Sequence, residues 1–118
     1  MHCGTDIVDV RRIRRAFERH GTRFAERIFT PGEQAYAEAA RDEKRRLLRY
    51  GNRFAAKEAL IKAVDARGKG VRLRDIEVIS SDTGAPGLRC TGRALQLLTE
   101  FTGTSDAQQA HAALSLSL

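Results

Sequence analysis

At 118 residues the chain is long enough for one domain with a modest core, and its 42% apolar and 31% charged residues are ordinary globular proportions. No apolar run is long enough to cross a bilayer, and Cys3 and Cys90 form no close pair, which excludes a disulfide framework or a zinc knuckle. A net charge of +6 favours anionic partners: nucleic acid, a phosphorylated cofactor or an acidic protein.

The first predicted element is a strand over Cys3 to Val10, rich in β-branched Ile7, Val8 and Val10. Asp6 interrupts it, as a cap, a turn residue or part of a site. Asp9 is placed to cap an amphipathic helix from Arg11 to His20, with Ile13, Ala16 and Phe17 as its apolar stripe. Arg11, Arg12, Arg14 and Arg15 crowd the rest of that helix, either as a solvated face or as a docking surface for an acidic helix. Gly21 is a natural stop, and Phe24, Ile28 and Phe29 carry the apolar pattern through a short helix. Thr30-Pro31-Gly32-Glu33 then reads as a helix start: Thr30 caps, Pro31 takes the first position and Glu33 closes a capping box before a short helix from Gln34 to Ala40.

Arg41 to Arg46 is a charge-dense connector or helix start before the longest predicted helix. Gly51 and Asn52 weaken it locally, but the run Arg53-Phe54-Ala55-Ala56-Lys57-Glu58-Ala59-Leu60-Ile61-Lys62 has no breaker and is rich in helix formers. Four-residue spacing puts Phe54, Glu58 and Lys62 on one face, with Ala55, Ala59 and Ala63 as a small-residue stripe suited to packing against a sheet. Glu58 and Lys62 are then either a surface ion pair or an acid and a base at the edge of the buried face. Ala66 to Gly70 ends the helix in a Gly/Lys loop that lacks the spacing of a P-loop. Strands are predicted at Val71 to Ser80 and Leu88 to Thr91, joined by the turn-rich Ser81 to Gly87. A helix from Arg93 to Thr102 turns Leu95, Leu98 and Phe101 inward, and a strand over His111 to Leu118 alternates Ala112, Leu114, Leu116 and Leu118 with polar residues.

Three motifs in order, Gly4-Thr5-Asp6-Ile7-Val8, Phe29-Thr30-Pro31 with Glu33, and Phe54-Ala55-Ala56-Lys57-Glu58-Ala59 followed by Lys62, resemble the 4'-phosphopantetheinyl transferases, specifically the bacterial holo-acyl-carrier-protein synthases. The resemblance implies a single α+β domain over residues 1–118, with a small antiparallel sheet packed on a long helix, assembling as a homotrimer with active sites between subunits. It implies transfer of 4'-phosphopantetheine from coenzyme A to a serine of an apo acyl carrier protein in fatty acid biosynthesis, releasing adenosine 3',5'-bisphosphate. Asp6, Glu58 and Lys62 match the family's catalytic positions, with Asp6 and Glu58 as Mg2+ ligands. Arg53, Lys57, Gly84 and Pro86 are the expected coenzyme A contacts, and Arg11, Arg14 and Phe17 the expected carrier-docking residues. The Phe29-Thr30-Pro31 motif with Glu33 is explained by its capping chemistry and is assigned no role in catalysis. Relatives carry a longer Gly-rich loop where this chain has Gly68 to Gly70, and one more apolar strand after the position of Ser117, so a final strand is expected to be missing here. The opening residues lack the charged start and apolar run of a signal peptide, so a cytoplasmic address is expected, with neither membrane nor nucleic acid as partner. The alternatives are a non-catalytic basic nucleic-acid-binding domain and an inactive member of the family.

Overall fold

The computed structural model describes residues 9–80 and 86–102. They fall into two compact units that divide between Ala55 and Ala56, within the long helix α4 (Glu43–Ala63). That helix runs without a break through Gly51 and Asn52. Leu47 and Tyr50, buried just before them, anchor the segment whose propensity is weak.

The described residues of the first unit are helical. Asp9 starts α1 (Val10–His20) by accepting the N–H groups of Arg11 and Arg12 at 3.1 and 3.3 Å. Gly21 ends it at φ 59°, a left-handed conformation that costs glycine nothing, and α2 (Thr22–Ile28) follows at once. The predicted capping box opens α3 (Pro31–Glu38): Thr30 Oγ1 accepts the Glu33 N–H at 3.2 Å, and Glu33 Oε1 accepts the Thr30 N–H at 2.9 Å. Asp42 accepts the Arg45 N–H at 2.8 Å at the start of α4. Ile13, Ala25, Phe29, Ala37, Leu47 and Tyr50 form the core, with Phe17, Phe24 and Phe54 packed against it. The rings meet edge-on or tilted, Phe17 to Phe24 at 5.1 Å and Phe29 to Tyr50 at 4.8 Å between centroids.

The second unit contains the end of α4, a 3-10 turn (Leu73–Asp75), strands β1 (Ile76–Ser80) and β2 (Pro86–Cys90), and α5 (Gly92–Thr102). The strands pair antiparallel with Ile76 opposite Cys90 and Val78 opposite Leu88. Those four residues share one face, and they pack with Leu60 of α4 and Ala94 and Leu98 of α5. Glu77 and Arg89 pair across the other face at 3.6 Å. Gly92 opens α5 at φ 56°, a conformation that favours glycine, and a Cβ there would sit a tight 3.1 Å from Asp75 Oδ2.

Three expectations are corrected. The first pairing strand is shorter than Val71 to Ser80, because Asp75 N–H bonds to Arg72 O at 2.9 Å and closes a turn, while Asp75 O accepts the Thr91 N–H at 2.8 Å. The ladder therefore starts at Ile76. Val10 opens a helix rather than ending a strand, since Asp9 caps it. Ala59 and Ala63 are exposed, and the buried line of α4 is instead Leu47, Tyr50, Arg53, Lys57 and Leu60. Longer side chains remove more surface from water than alanines do, so they take the inward positions. The predicted strands at Cys3 to Val8 and His111 to Leu118 lie outside the described residues.

Candidate active site

Glu58 and Lys62 line one hollow of about 290 Å³ in the second unit, together with Ile61, Ala66, Arg67, Gly68, Val71 and Leu73. The four-residue spacing read from the sequence holds, because α4 continues to Ala63. Glu58 is half-buried and Lys62 exposed, so the acid sits deeper than the base. The chain then reverses in left-handed steps at Asp65 (φ 51°), Gly68 (φ 78°) and Gly70 (φ 80°), which bring Arg67 and Gly68 to the rim. Arg93 ties this loop down by donating from Nε to Lys69 O at 3.1 Å. Arg67 escaped the sequence reading, whose Gly/Lys loop pointed to the segment without singling out that cation. An acid and two cations around one open hollow suit a phosphate-bearing ligand with a hard cation.

The other two α4 cations expected at coenzyme A point inward. Arg53 is 6% exposed and stacks its guanidinium 3.9 Å from the centre of the Tyr36 ring, with Arg49 over the same ring at 4.3 Å. Burial lowers the Arg53 pKa, and the charge of Glu33 works against that shift. Lys57 is fully buried, and its Nζ donates to Leu73 O at 2.9 Å and Ile76 O at 2.5 Å. Spacing alone could not show this, since both residues alternate with Phe54 and Glu58 around the helix. Pro86 opens β2, while Asp6 and Gly84 lie outside the described residues. Among the described residues no three of His, Cys, Asp and Glu gather as a metal site.

The arginines of α1 divide between two faces. Arg12, Arg15 and Arg19, spaced by one helical turn, line a hollow of about 380 Å³ with His20, Phe24 and Phe54, and the Arg12 guanidinium lies 5.2 Å from the Phe54 ring centre. Arg11 and Arg14 lie off that hollow, Arg11 3.6 Å from Asp9 and Arg14 3.9 Å from Glu43, both well exposed. Phe17, expected at the carrier, packs its ring on Phe24 and Tyr50 under the Arg46 guanidinium. Arg19 escaped the sequence reading, although its i, i+3, i+7 spacing with Arg12 and Arg15 places the three on one side of α1.

A family model for the 4'-phosphopantetheinyl transferase superfamily matches residues 2–115. The chain belongs to that superfamily. A holo-acyl-carrier-protein synthase of Methylobacterium radiotolerans is 44% identical over 115 residues, which span 95% of this chain and 81% of the relative. One from Granulibacter bethesdensis is 45% identical over 100 residues, covering 84% of this chain and 68% of the relative. The crystal structure of the holo-acyl-carrier-protein synthase from Neisseria meningitidis matches with a TM-score of 0.58 and 34% identity, over 81% of this chain and 74% of that one. Among its described residues this member of the superfamily combines α helices with a two-stranded antiparallel sheet, and none of those helices is long and apolar enough to cross a membrane.

Proposed function

We propose that the chain transfers the 4'-phosphopantetheine group of coenzyme A to a serine hydroxyl of an apo acyl carrier protein, releasing adenosine 3',5'-bisphosphate. The observation that carries this reading is Glu58 and Lys62 facing one open hollow in a chain of this superfamily. The serine oxygen forms a bond to the phosphorus next to pantetheine, the bond from that phosphorus to the bridging oxygen breaks with its electron pair staying on the departing adenosine 3',5'-bisphosphate, and the serine proton passes to water. Such chemistry needs positioning and charge neutralisation more than covalent help from the protein. Lys62 and Arg67 supply positive charge at the hollow, and Lys62 is placed to hold charge on the pyrophosphate oxygens.

The reading also assigns Mg2+ to Glu58 and Asp6. The half-buried Glu58 carboxylate is a hard oxygen donor beside open space, a donor set that fits magnesium, which takes one or two carboxylates and leaves its other positions to phosphate and water. When bound, magnesium would neutralise pyrophosphate charge. The carrier docks on the basic α1 face around Arg11 and Arg14, and the working state is a cytoplasmic homotrimer. The test is to mix the chain with coenzyme A, magnesium and an apo acyl carrier protein and weigh the carrier. A mass gain of one phosphopantetheine supports the reading, and an unmodified carrier rejects it. Glu58→Gln and Asp6→Asn keep shape and drop charge, so both should lose turnover most severely in limiting magnesium. Full activity of both there would remove the metal assignment.

A further inference from the structure

We infer that Lys57 is a positioning residue for the site at Glu58 and Lys62 rather than a ligand for coenzyme A phosphates, an inference that rests on the proposed transferase activity. A lysine is almost never fully buried without specific partners, because its ammonium loses hydration that only hydrogen bonds in the interior can replace. Here the replacement is specific: Nζ donates to Leu73 O and to Ile76 O. Those carbonyls bracket the 3-10 turn Leu73–Asp75, one at its first residue and one just beyond its last. One ammonium on α4 thus fastens both ends of this turn.

The turn is part of the site. Leu73, together with Val71 just before it, forms the wall of the hollow that Glu58 and Lys62 also line. Glu58 follows Lys57 directly, so fixing Lys57 inward fixes the helix rotation that presents Glu58 at the edge. The residue that points away from the ligand therefore holds the acid and the Leu73 turn, both of which line the hollow, in one arrangement. A phosphate could reach the Lys57 ammonium only if the lysine left the core, and that would take its donor from the buried Ile76 carbonyl, while Leu73 O would keep the Ile76 N–H as a donor.

The test uses Lys57→Met, which keeps the unbranched stem and removes the ammonium, with coenzyme A and 3'-dephospho-coenzyme A as donors. Positioning predicts that kcat per folded molecule falls roughly ten- to a hundredfold for both donors, with the preference between them unchanged. A kcat within about twofold of wild type shows that the contact only supports folding, and loss of the preference for the 3'-phosphorylated donor shows that Lys57 is a phosphate ligand; either result overturns the inference. Lysine acetylation of the unaltered protein is the second measurement, independent of whether the variant folds. Lys57 should label far more slowly than Lys44, Lys62 and Lys69, with or without coenzyme A. Ready labelling of Lys57 that coenzyme A suppresses would also overturn it. A wild-type chain with no transferase activity on any apo carrier rejects the functional reading itself, a result distinct from all of these.

Discussion

Replacing Thr30 with alanine tests whether the Phe-Thr-Pro motif with Glu33 is structural, as its capping geometry indicates. The substitution removes Thr30 Oγ1, which accepts the Glu33 N–H at 3.2 Å, and leaves the reciprocal bond from Thr30 N–H to Glu33 Oε1 at 2.9 Å in place. Pro31 has no N–H, and the Gln34 N–H bonds to Thr30 O at 2.9 Å, so the Glu33 N–H is the group left without its partner. Loss of an N-cap hydroxyl costs typically about 1 kcal/mol. The 3.2 Å length argues for the lower part of the range, and the burial of Glu33, 1% exposed, for the upper part, because little water reaches the vacated N–H. The expected loss is about 1 to 1.5 kcal/mol, which lowers the melting midpoint by roughly 4 °C per kcal/mol in a domain of this size. Thermal unfolding followed by circular dichroism measures it, with Thr30→Ser as the variant that restores the cap. Turnover per folded molecule should stay at the wild-type level. An unchanged midpoint with lost turnover would refute the reasoning and move the motif into the catalytic machinery.

Lys62→Ala should abolish most turnover and leave the midpoint nearly unchanged, since Lys62 is exposed at the rim of the hollow; wild-type turnover would remove it from the site. Arg14→Glu should raise the apparent Michaelis constant for the carrier protein, increasingly so at low salt, and leave that for coenzyme A alone, because rim charges act on association. No change in either constant would place the docking face elsewhere. Burial, reinforced by the Asp75 charge, raises the Cys90 thiol pKa from 9.0 to about 11, so the thiol should resist alkylation in the folded protein at pH 8. A raised folded-state value means that the unfolded chain loses this proton first: the stabilisation is complete below pH 9 and is lost as pH rises from there toward 11. Denaturant titrations of wild type and Cys90→Ala across that window should converge as pH rises, and a constant difference would count against the shift.

Local chemistry was legible in the sequence wherever one short segment settles its own geometry. Asp9, Gly21 and the Thr30 to Glu33 box set helix ends because each satisfies backbone groups within a few residues. The spacing of Glu58 and Lys62 put both on one side of α4 for the same reason, and their motif carried the family. What only the tertiary structure decided is which neighbour faces inward. Arg53 and Lys57 have the charge expected of phosphate ligands, and helical periodicity places them as well as it places Glu58. Their burial depends on Tyr36 and on the carbonyls of Leu73 and Ile76, from segments that sequence spacing does not connect to them. The alanine stripe misled because small size permits close packing without requiring it, while burial of Tyr50 and Leu60 gains more apolar area. The sequence determined the helix and the chemistry it carries; packing against distant carbonyls and rings determined which of its charges are left to meet a ligand.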